Sequence, residues 1–236
     1  MMEKKAIIEV RNLWKIYRMG EEKVPALKHV DLEIYPGEIC CIFGTSGSGK
    51  STFLNMLAGM EKPTAGSIKI LGREVATMSE QDLAVFRQKY LGFIFQSYNL
   101  LPGVTATENV AMPLMFKGVS RKQRERIAKE LLRRVGLEHR TDHYPGQMSG
   151  GQQQRVGIAR AFVTRPQVIF ADEPTGNLDT KTTEDVMRVI TEFSRELHQT
   201  IVLVTHDPEM VKYATRIIRM VDGCVVEDSK QEKIRA

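Results

Sequence analysis

The segment Ile39-Cys40-Cys41-Ile42-Phe43-Gly44-Thr45-Ser46-Gly47-Ser48-Gly49-Lys50-Ser51 decides the fold. Its first five residues are all apolar, as in a strand buried on both faces of a parallel sheet. The next eight satisfy G-x-x-x-x-G-K-[ST] without deviation, and residues 50–58 read as a helix ended by Gly59. Strand, glycine-rich loop and helix together form the setting in which this pattern binds phosphate. Glycines let successive backbone N–H groups curve around an anion, and the helix N-terminus adds its positive end. Lys50 can reach the β- and γ-phosphates of a nucleotide, and the Ser51 hydroxyl can ligate Mg²⁺.

Alternation continues on either side of this segment. Residues 7–10 and 30–34 read as strands, with Pro36-Gly37 as the turn before the decisive strand. Residues 67–70 and 91–95 read as two more short strands. Residues 97–165 read as mostly helical. The clearest helix there spans 120–135: Ser120 and Gln123 have capping-box spacing, Ile127, Leu131, Leu132 and Val135 make one apolar stripe, and Gly136 closes it. A buried strand follows at 168–171. Then comes a helix at 180–197 with Val186, Val189, Ile190, Phe193 and Leu197 on one face, and a buried strand at 201–205. This order predicts an α/β core with a parallel sheet, interrupted by a helical insertion. The expectation is one domain, with 1–96 and 165–236 as its core and 97–164 as an inserted helical subdomain.

The 236 residues are 42% hydrophobic and 27% charged, which excludes disordered and collagen-like classes. Cys40 and Cys41 are adjacent in the apolar run, where strand geometry sends them to opposite faces. They read as small buried hydrophobes rather than as a redox or metal pair. The start, MMEKKAIIEV, has no long apolar run after its lysines, so no signal peptide is expected. No apolar stretch approaches the roughly 18 residues of a membrane span, and a soluble, cytoplasmic chain is expected.

Two further patterns carry chemistry. Val168-Ile169-Phe170-Ala171-Asp172-Glu173 is an apolar strand ending in two acids. Alone, it also describes a solvated strand end. Downstream of a phosphate loop, Asp172 can hold Mg²⁺ through water, and Glu173, one residue on, can face an attacking water as general base. Ser149-Gly150-Gly151-Gln152 opens a second helix; alone it reads as a serine N-cap on an ordinary helix, and in order with the phosphate loop and the acids it reads as a second anion site made of N–H groups and a hydroxyl.

With Met148 in place of the usual first Leu, residues 148–152 resemble the Leu-Ser-Gly-Gly-Gln signature of ATP-binding subunits of ABC transporters. The resemblance runs from about residue 7 to residue 227. It implies a P-loop NTPase core with a parallel sheet, an N-terminal antiparallel β subdomain and an inserted α-helical subdomain. It implies ATP and Mg²⁺ as ligands. ATP would lie on Gly44, Thr45, Ser46, Gly47, Ser48, Gly49, Lys50, Ser51 and Thr52 of one subunit and on Ser149, Gly150, Gly151 and Gln152 of the other. The metal would be held by Ser51, Gln96 and Asp172. The catalytic set would be Glu173, His206, Gln96 and Lys50, with His206 contacting the γ-phosphate. Residues 176–179 match the loop that crosses the dimer interface. Tyr17 matches the aromatic that stacks on adenine, with Trp14 as the nearby competitor.

The implied mechanism is ATP-driven closure of a head-to-tail homodimer, opened again by hydrolysis. The chain would work from the inner face of the cell membrane through a separate permease, contacting no nucleic acid and spanning no membrane itself. By the same resemblance the helical insert after Gln96, including residues 100–102 and 105–110, would be the docking surface, which would give its exposed apolar side chains a reason. Residues 17–27 and 171–179 are similar to the lipoprotein-release, macrolide-efflux and antimicrobial-peptide branch. That branch also holds the cell-division ATPase, so a mechanical regulator of cell-wall hydrolases is the alternative to a transporter. A soluble ABC ATPase of translation or DNA repair is a further one, disfavoured by a single cassette without a long coiled coil.

Lys plus Arg is 34 against 29 for Asp plus Glu. Residues 121–134 hold seven basic and two acidic side chains, which is the whole excess of five. The positive balance therefore marks one helix face and not a nucleic-acid-binding chain. It is either solvated or set against acidic lipid headgroups or permease acids.

Overall fold

The computed structural model describes residues 5–231. In chain order its elements are β1 (Ile8–Met19), β2 (Glu22–Ile34), β3 (Ile39–Phe43), α1 (Lys50–Leu57), β4 (Ala65–Ile70), β5 (Arg73–Glu74), α2 (Glu80–Tyr90) and β6 (Leu91–Ile94). Then come α3 (Ala106–Phe116), α4 (Arg121–Arg134), α5 (Gly150–Phe162), β7 (Val168–Asp172), α6 (Thr180–Glu196), β8 (Thr200–Thr205), β9 (Arg216–Val221) and β10 (Cys224–Lys230). The chain forms two compact units, one of residues up to 87 and from 200 onward, the other of residues 88–199.

In the first unit, β3 lies between β8 and β9 and is parallel to both. The register sets Phe43 beside Thr205, so the residues that follow, Gly44 and His206, leave the sheet at the same carboxyl edge. Cys40 and Cys41 are both fully buried, as the apolar run requires. Burial pushes both thiols up, Cys41 to about 12, so neither is a thiolate at neutral pH. The expected antiparallel subdomain is the sheet β2-β1-β4-β5.

That sheet is larger than its sequence pattern suggests. β1 and β2 run far past residues 10 and 30, joined through Gly20-Glu21. The period-2 signal fails because β1 carries register shifts between Val10 and Ile16, with Asn12 at φ 45°. Pro25 in β2 also argues against a strand, but β2 is the sheet's edge, where proline is tolerated. Helix α2 leaves no signal in the sequence because it buries only Leu83 and Phe86, too few for a periodic stripe.

In the second unit, β6 and β7 pair in parallel with Ile94 opposite Ala171. Gln96, just beyond β6, and the acids Asp172, which ends β7, and Glu173, which follows it, thus lie at the same edge of neighbouring strands. Helices α3, α4 and α5 pack against one another and form the helical part of this unit. Two sequence expectations fail here. Ser120 is the N-cap residue of α4 but its side chain accepts no cap hydrogen bond. It is exposed, so water can serve the first-turn N–H groups. Nor is 100–110 uniformly exposed: Leu101 is 46% exposed, but Ala106 and Val110 are buried by the packing of α3. No helix among the described residues is long and apolar enough to cross a membrane.

Candidate functional site

The phosphate loop is anchored from beneath. Ser48 is buried, its carbonyl accepts the Gly223 N–H at 3.1 Å, and the Gly223 carbonyl accepts the Lys28 N–H at 2.9 Å. Gly49 (φ 94°) and Gly223 (φ 80°) both adopt left-handed backbone, and a Cβ on either would sit 2.6 Å from the Ala26 carbonyl oxygen. The loop is thereby clamped between β2 and the β9–β10 turn. Its crest, Thr45, Ser46 and Gly47, is exposed.

Lys50 opens α1 and is only 5% exposed. Its ammonium donates to the Thr45 carbonyl at 2.7 Å and lies 3.5 Å from the Ser48 hydroxyl. The cation is thus turned into the curve of its own loop, where phosphate oxygens can take over from that carbonyl. This arrangement fits a nucleotide's phosphates. Ser51 and Thr52 follow on the first turn of α1.

Tyr17 is half-buried on β1 and its hydroxyl donates to Glu61 at 2.8 Å. Burial is the main cause that pushes this phenol up, opposed by a hydrogen bond with Thr52. Trp14, the competitor, instead donates its indole N–H to Asn12 at 2.9 Å. His206 is exposed just beyond β8. Its neighbour Asp207 donates its N–H to the Thr205 hydroxyl at 3.0 Å and caps the turn at Pro208–Tyr213.

The second unit carries Gln96, Asp172, Glu173 and Ser149. Glu173 leaves β7 in left-handed backbone, φ 42°, and its carbonyl accepts the Gly176 N–H at 3.1 Å in a tight turn. A Cβ on Gly176 would lie 2.7 Å from the Gln96 amide nitrogen and 3.3 Å from a Glu173 carboxylate oxygen. Gln96 and Glu173 are therefore drawn to one spot, and Asn177 fixes it by donating to the Gln96 carbonyl at 3.1 Å. Asp179 caps α6 by accepting the Thr182 N–H at 3.0 Å and its hydroxyl at 2.7 Å.

Ser149 caps α5 in a complete capping box with Gln152: Ser149 accepts the Gln152 N–H at 3.4 Å, and the Gln152 side chain accepts the Ser149 N–H at 3.0 Å. Gly150 and Gly151 answer to packing. A Cβ on Gly150 would come within 2.7 Å of the Tyr98 hydroxyl, and one on Gly151 would collide with the Thr182 methyl. This helix end is thus fitted closely against Tyr98 and α6.

Three residues that hold these parts, one in the first unit and two in the second, lie outside the motif positions themselves. Gly223 sits in an Asp222-Gly223 pair, a hairpin signal that was readable. Gln154 is fully buried on α5, on the stripe Gly151, Gln154, Ile158, Ala161, so a polar residue on an apolar stripe was the clue. Arg160 donates to the carbonyls of Tyr98 (2.8 Å) and Asn99 (2.5 Å), both at positive φ, in the loop that follows Gln96. Nothing in the sequence spacing joins Arg160 to that loop.

The phosphate loop at the end of β3, acids at the end of β7 and a capped glycine pair opening α5 define a P-loop NTPase cassette. Residues 27–176 match the family described as ABC transporter, and the chain belongs to that family. An uncharacterized ABC transporter ATP-binding protein of Thermotoga maritima is 52% identical over 222 residues, 93% of each chain. The macrolide export ATP-binding/permease protein MacB of Marinobacter nauticus is 48% identical over 98% of this chain. This chain spans 36% of that relative's length. Among solved structures, the ATP-binding cassette MJ0796, as a dimer in a post-hydrolysis state bound to ADP and Pi, has a TM-score of 0.89. It is 42% identical over 97% of this chain and 99% of its own.

Proposed function

We propose that this chain is the ATP-hydrolysing subunit of an ABC transporter and drives a separate membrane permease by closing and opening as a homodimer. The observation that supports this best is that one chain carries two anion-competent helix ends, the Lys50 loop and the Ser149 cap. Two such ends in one chain suit a nucleotide held between two copies, head to tail. The dimeric state named for MJ0796 supports the same reading.

In this reading the loop from Gly44 to Thr52 holds the phosphates of ATP, and Tyr17 stacks on its base. Lys50 and His206 steady the γ-phosphate. Ser149 and the N–H groups of Gly150, Gly151 and Gln152 grip the nucleotide on the facing copy. Glu173 accepts a proton from the attacking water, and Gln96 orients that water. Mg²⁺, when bound to Ser51, Asp172 and Gln96, supplies charge neutralisation at the β- and γ-phosphates. Loss of the γ-phosphate then removes the bridge between copies. The macrolide-export names among the relatives favour efflux or release over mechanical regulation of hydrolases. The chain would sit at the inner face of the cell membrane through its permease, docking by the helical segment 97–164.

Replacing Glu173 by Gln tests this. We expect ATP turnover to fall by about 10²–10⁴-fold, the range of general-base help. An ATP-dependent dimer should accumulate, read by light scattering. Near wild-type turnover in the variant would sink the base assignment. Pull-down from solubilised membranes should recover a permease; recovery of ribosomes alone would sink the transport reading.

A further inference from the structure

Strand β7 delivers Asp172 and Glu173, and both of its ends are held in the same unusual way. At the far end from the acids, the buried Gln199 amide donates to the Pro166 carbonyl at 2.6 Å. At the acid end, the fully buried Gln154 amide donates to the Pro174 carbonyl at 2.5 Å. In both glutamines the side-chain oxygen finds no hydrogen-bond partner among the described residues. That orphan oxygen is costly in an apolar interior, so each amide is kept for its donor end.

The two pins differ in what they touch. Pro166 precedes β7 by two residues, roughly 20 Å from Asp172 along a strand at about 3.3 Å per residue. Pro174 is the residue after Glu173. It lies inside the turn closed by the Gly176 N–H on the Glu173 carbonyl at 3.1 Å, where Glu173 itself is at φ 42°. A left-handed glutamate needs surroundings that hold it there. Gln154 supplies such a hold, because a bond to the next carbonyl restrains the backbone that follows Glu173. Its helix, α5, is also the helix that Ser149 caps. The signature end and the turn of the base are therefore joined through one buried side chain.

We infer that Gln154 is a positioning residue for Glu173, setting the direction of the carboxylate and linking it to the signature helix of the same chain. This deepens the proposed function and rests on Glu173 being the general base. In a head-to-tail dimer, the signature grips ATP on the facing copy while Glu173 serves the chain's own ATP. Gln154 then lies on the physical route between the two nucleotides.

The test pairs two isosteric variants, Gln154→Met and Gln199→Met, each of which keeps volume and deletes the donor. Both should lower the melting temperature by a similar amount. Gln154→Met should also lose at least about tenfold in kcat, with KM for ATP within about twofold, the pattern of an interaction that matters in the transition state alone. Gln199→Met should keep kcat within about twofold. Equal kcat for the two variants, or a loss confined to KM, overturns the inference. Should Gln154→Met fail to fold, Gln154→Glu takes its place. A buried carboxyl titrates high and donates when protonated, so its kcat relative to wild type should climb as pH falls. A ratio that is flat with pH overturns the inference equally. Glu173→Gln is run beside them. If it hydrolyses ATP normally, the base assignment has failed; if it is dead while Gln154→Met is fully active, the positioning role alone has failed.

Discussion

Gly151 presents the sharpest constraint at the scale of single residues. The signature glycines are usually argued from their N–H groups, but here the methyl of Thr182 occupies the place a Cβ would need. Thr182 cannot rotate away cheaply, because its hydroxyl donates to Asp179 at 2.7 Å and its N–H to the same carboxylate. Gly151→Ala should therefore cost about 1–3 kcal/mol, the range for overpacking a tight site. Adding Thr182→Ser removes the methyl and keeps the hydroxyl, so most of that loss should return. Chemical denaturation of the two single variants and the double variant measures the coupling. Additive losses would show that the clash is relieved elsewhere. Asp179 invites a second prediction. Hydrogen bonds from Thr182 hold its carboxyl below the ordinary carboxylate range. A lowered folded pKa adds stability above the unfolded value and loses it as pH falls through the folded one. The gap in melting temperature between wild type and Asp179→Ala should thus be constant at neutral pH and shrink below about pH 4. A gap that persists unchanged at pH 2–3 would deny the charged cap.

Among the elements, the β9–β10 hairpin does more for the phosphate loop than its distance in sequence suggests. Gly223 accepts from Lys28 and donates to Ser48, so the hairpin turn holds the loop from below. Gly223→Ala would place a Cβ 2.6 Å from the Ala26 carbonyl, on backbone at φ 80°. ATP affinity should fall by about tenfold or more, since roughly 1.4 kcal/mol of loop distortion suffices. Nucleotide titration by fluorescence reads this, and unchanged affinity would remove the hairpin from the site. This hairpin also marks where the sequence was legible and where it was not. β3, α1, β7, β8 and α6 were legible because each is apolar on a clear period or sits beside a motif. β9 and β10 were not, although Asp222-Gly223 announces their turn, because β10 exposes Val226 and pairs through a register shift that breaks alternation. Bulges hid most of β1 in the same way. The phosphate loop, the strand-end acids and the capped glycine pair were legible as local structures because each is a contiguous run with fixed spacing. The buried bonds of Gln154 and Arg160 join segments far apart in sequence, and local patterns, which at most mark Gln154 as a polar residue on an apolar stripe, do not name their partners.

Across the whole chain, the charge excess keeps its location and loses some of its mystery. α4 carries it, but Arg121 pairs with Glu125, Arg133 with Glu130, and Arg134 with Glu196. These are exposed pairs that mainly keep a solvated face in order. The distribution that matters for the proposed function is the division of one active site between two copies, which a mixing experiment tests. Lys50→Ala removes the phosphate grip from one chain, and Ser149→Arg blocks the anion end of the other. If the dimer is head to tail, each variant alone is inactive. A mixed dimer then joins the intact loop of the Ser149→Arg chain to the intact signature of the Lys50→Ala chain. Random pairing makes half the dimers mixed, each with one of two sites, so about a quarter of wild-type ATPase activity should return on mixing equal amounts. Sites built within one chain would give no recovery at any ratio. ATP-dependent dimers that form in the mixture and in neither variant alone, read by light scattering, would establish the same division of the site independently of turnover.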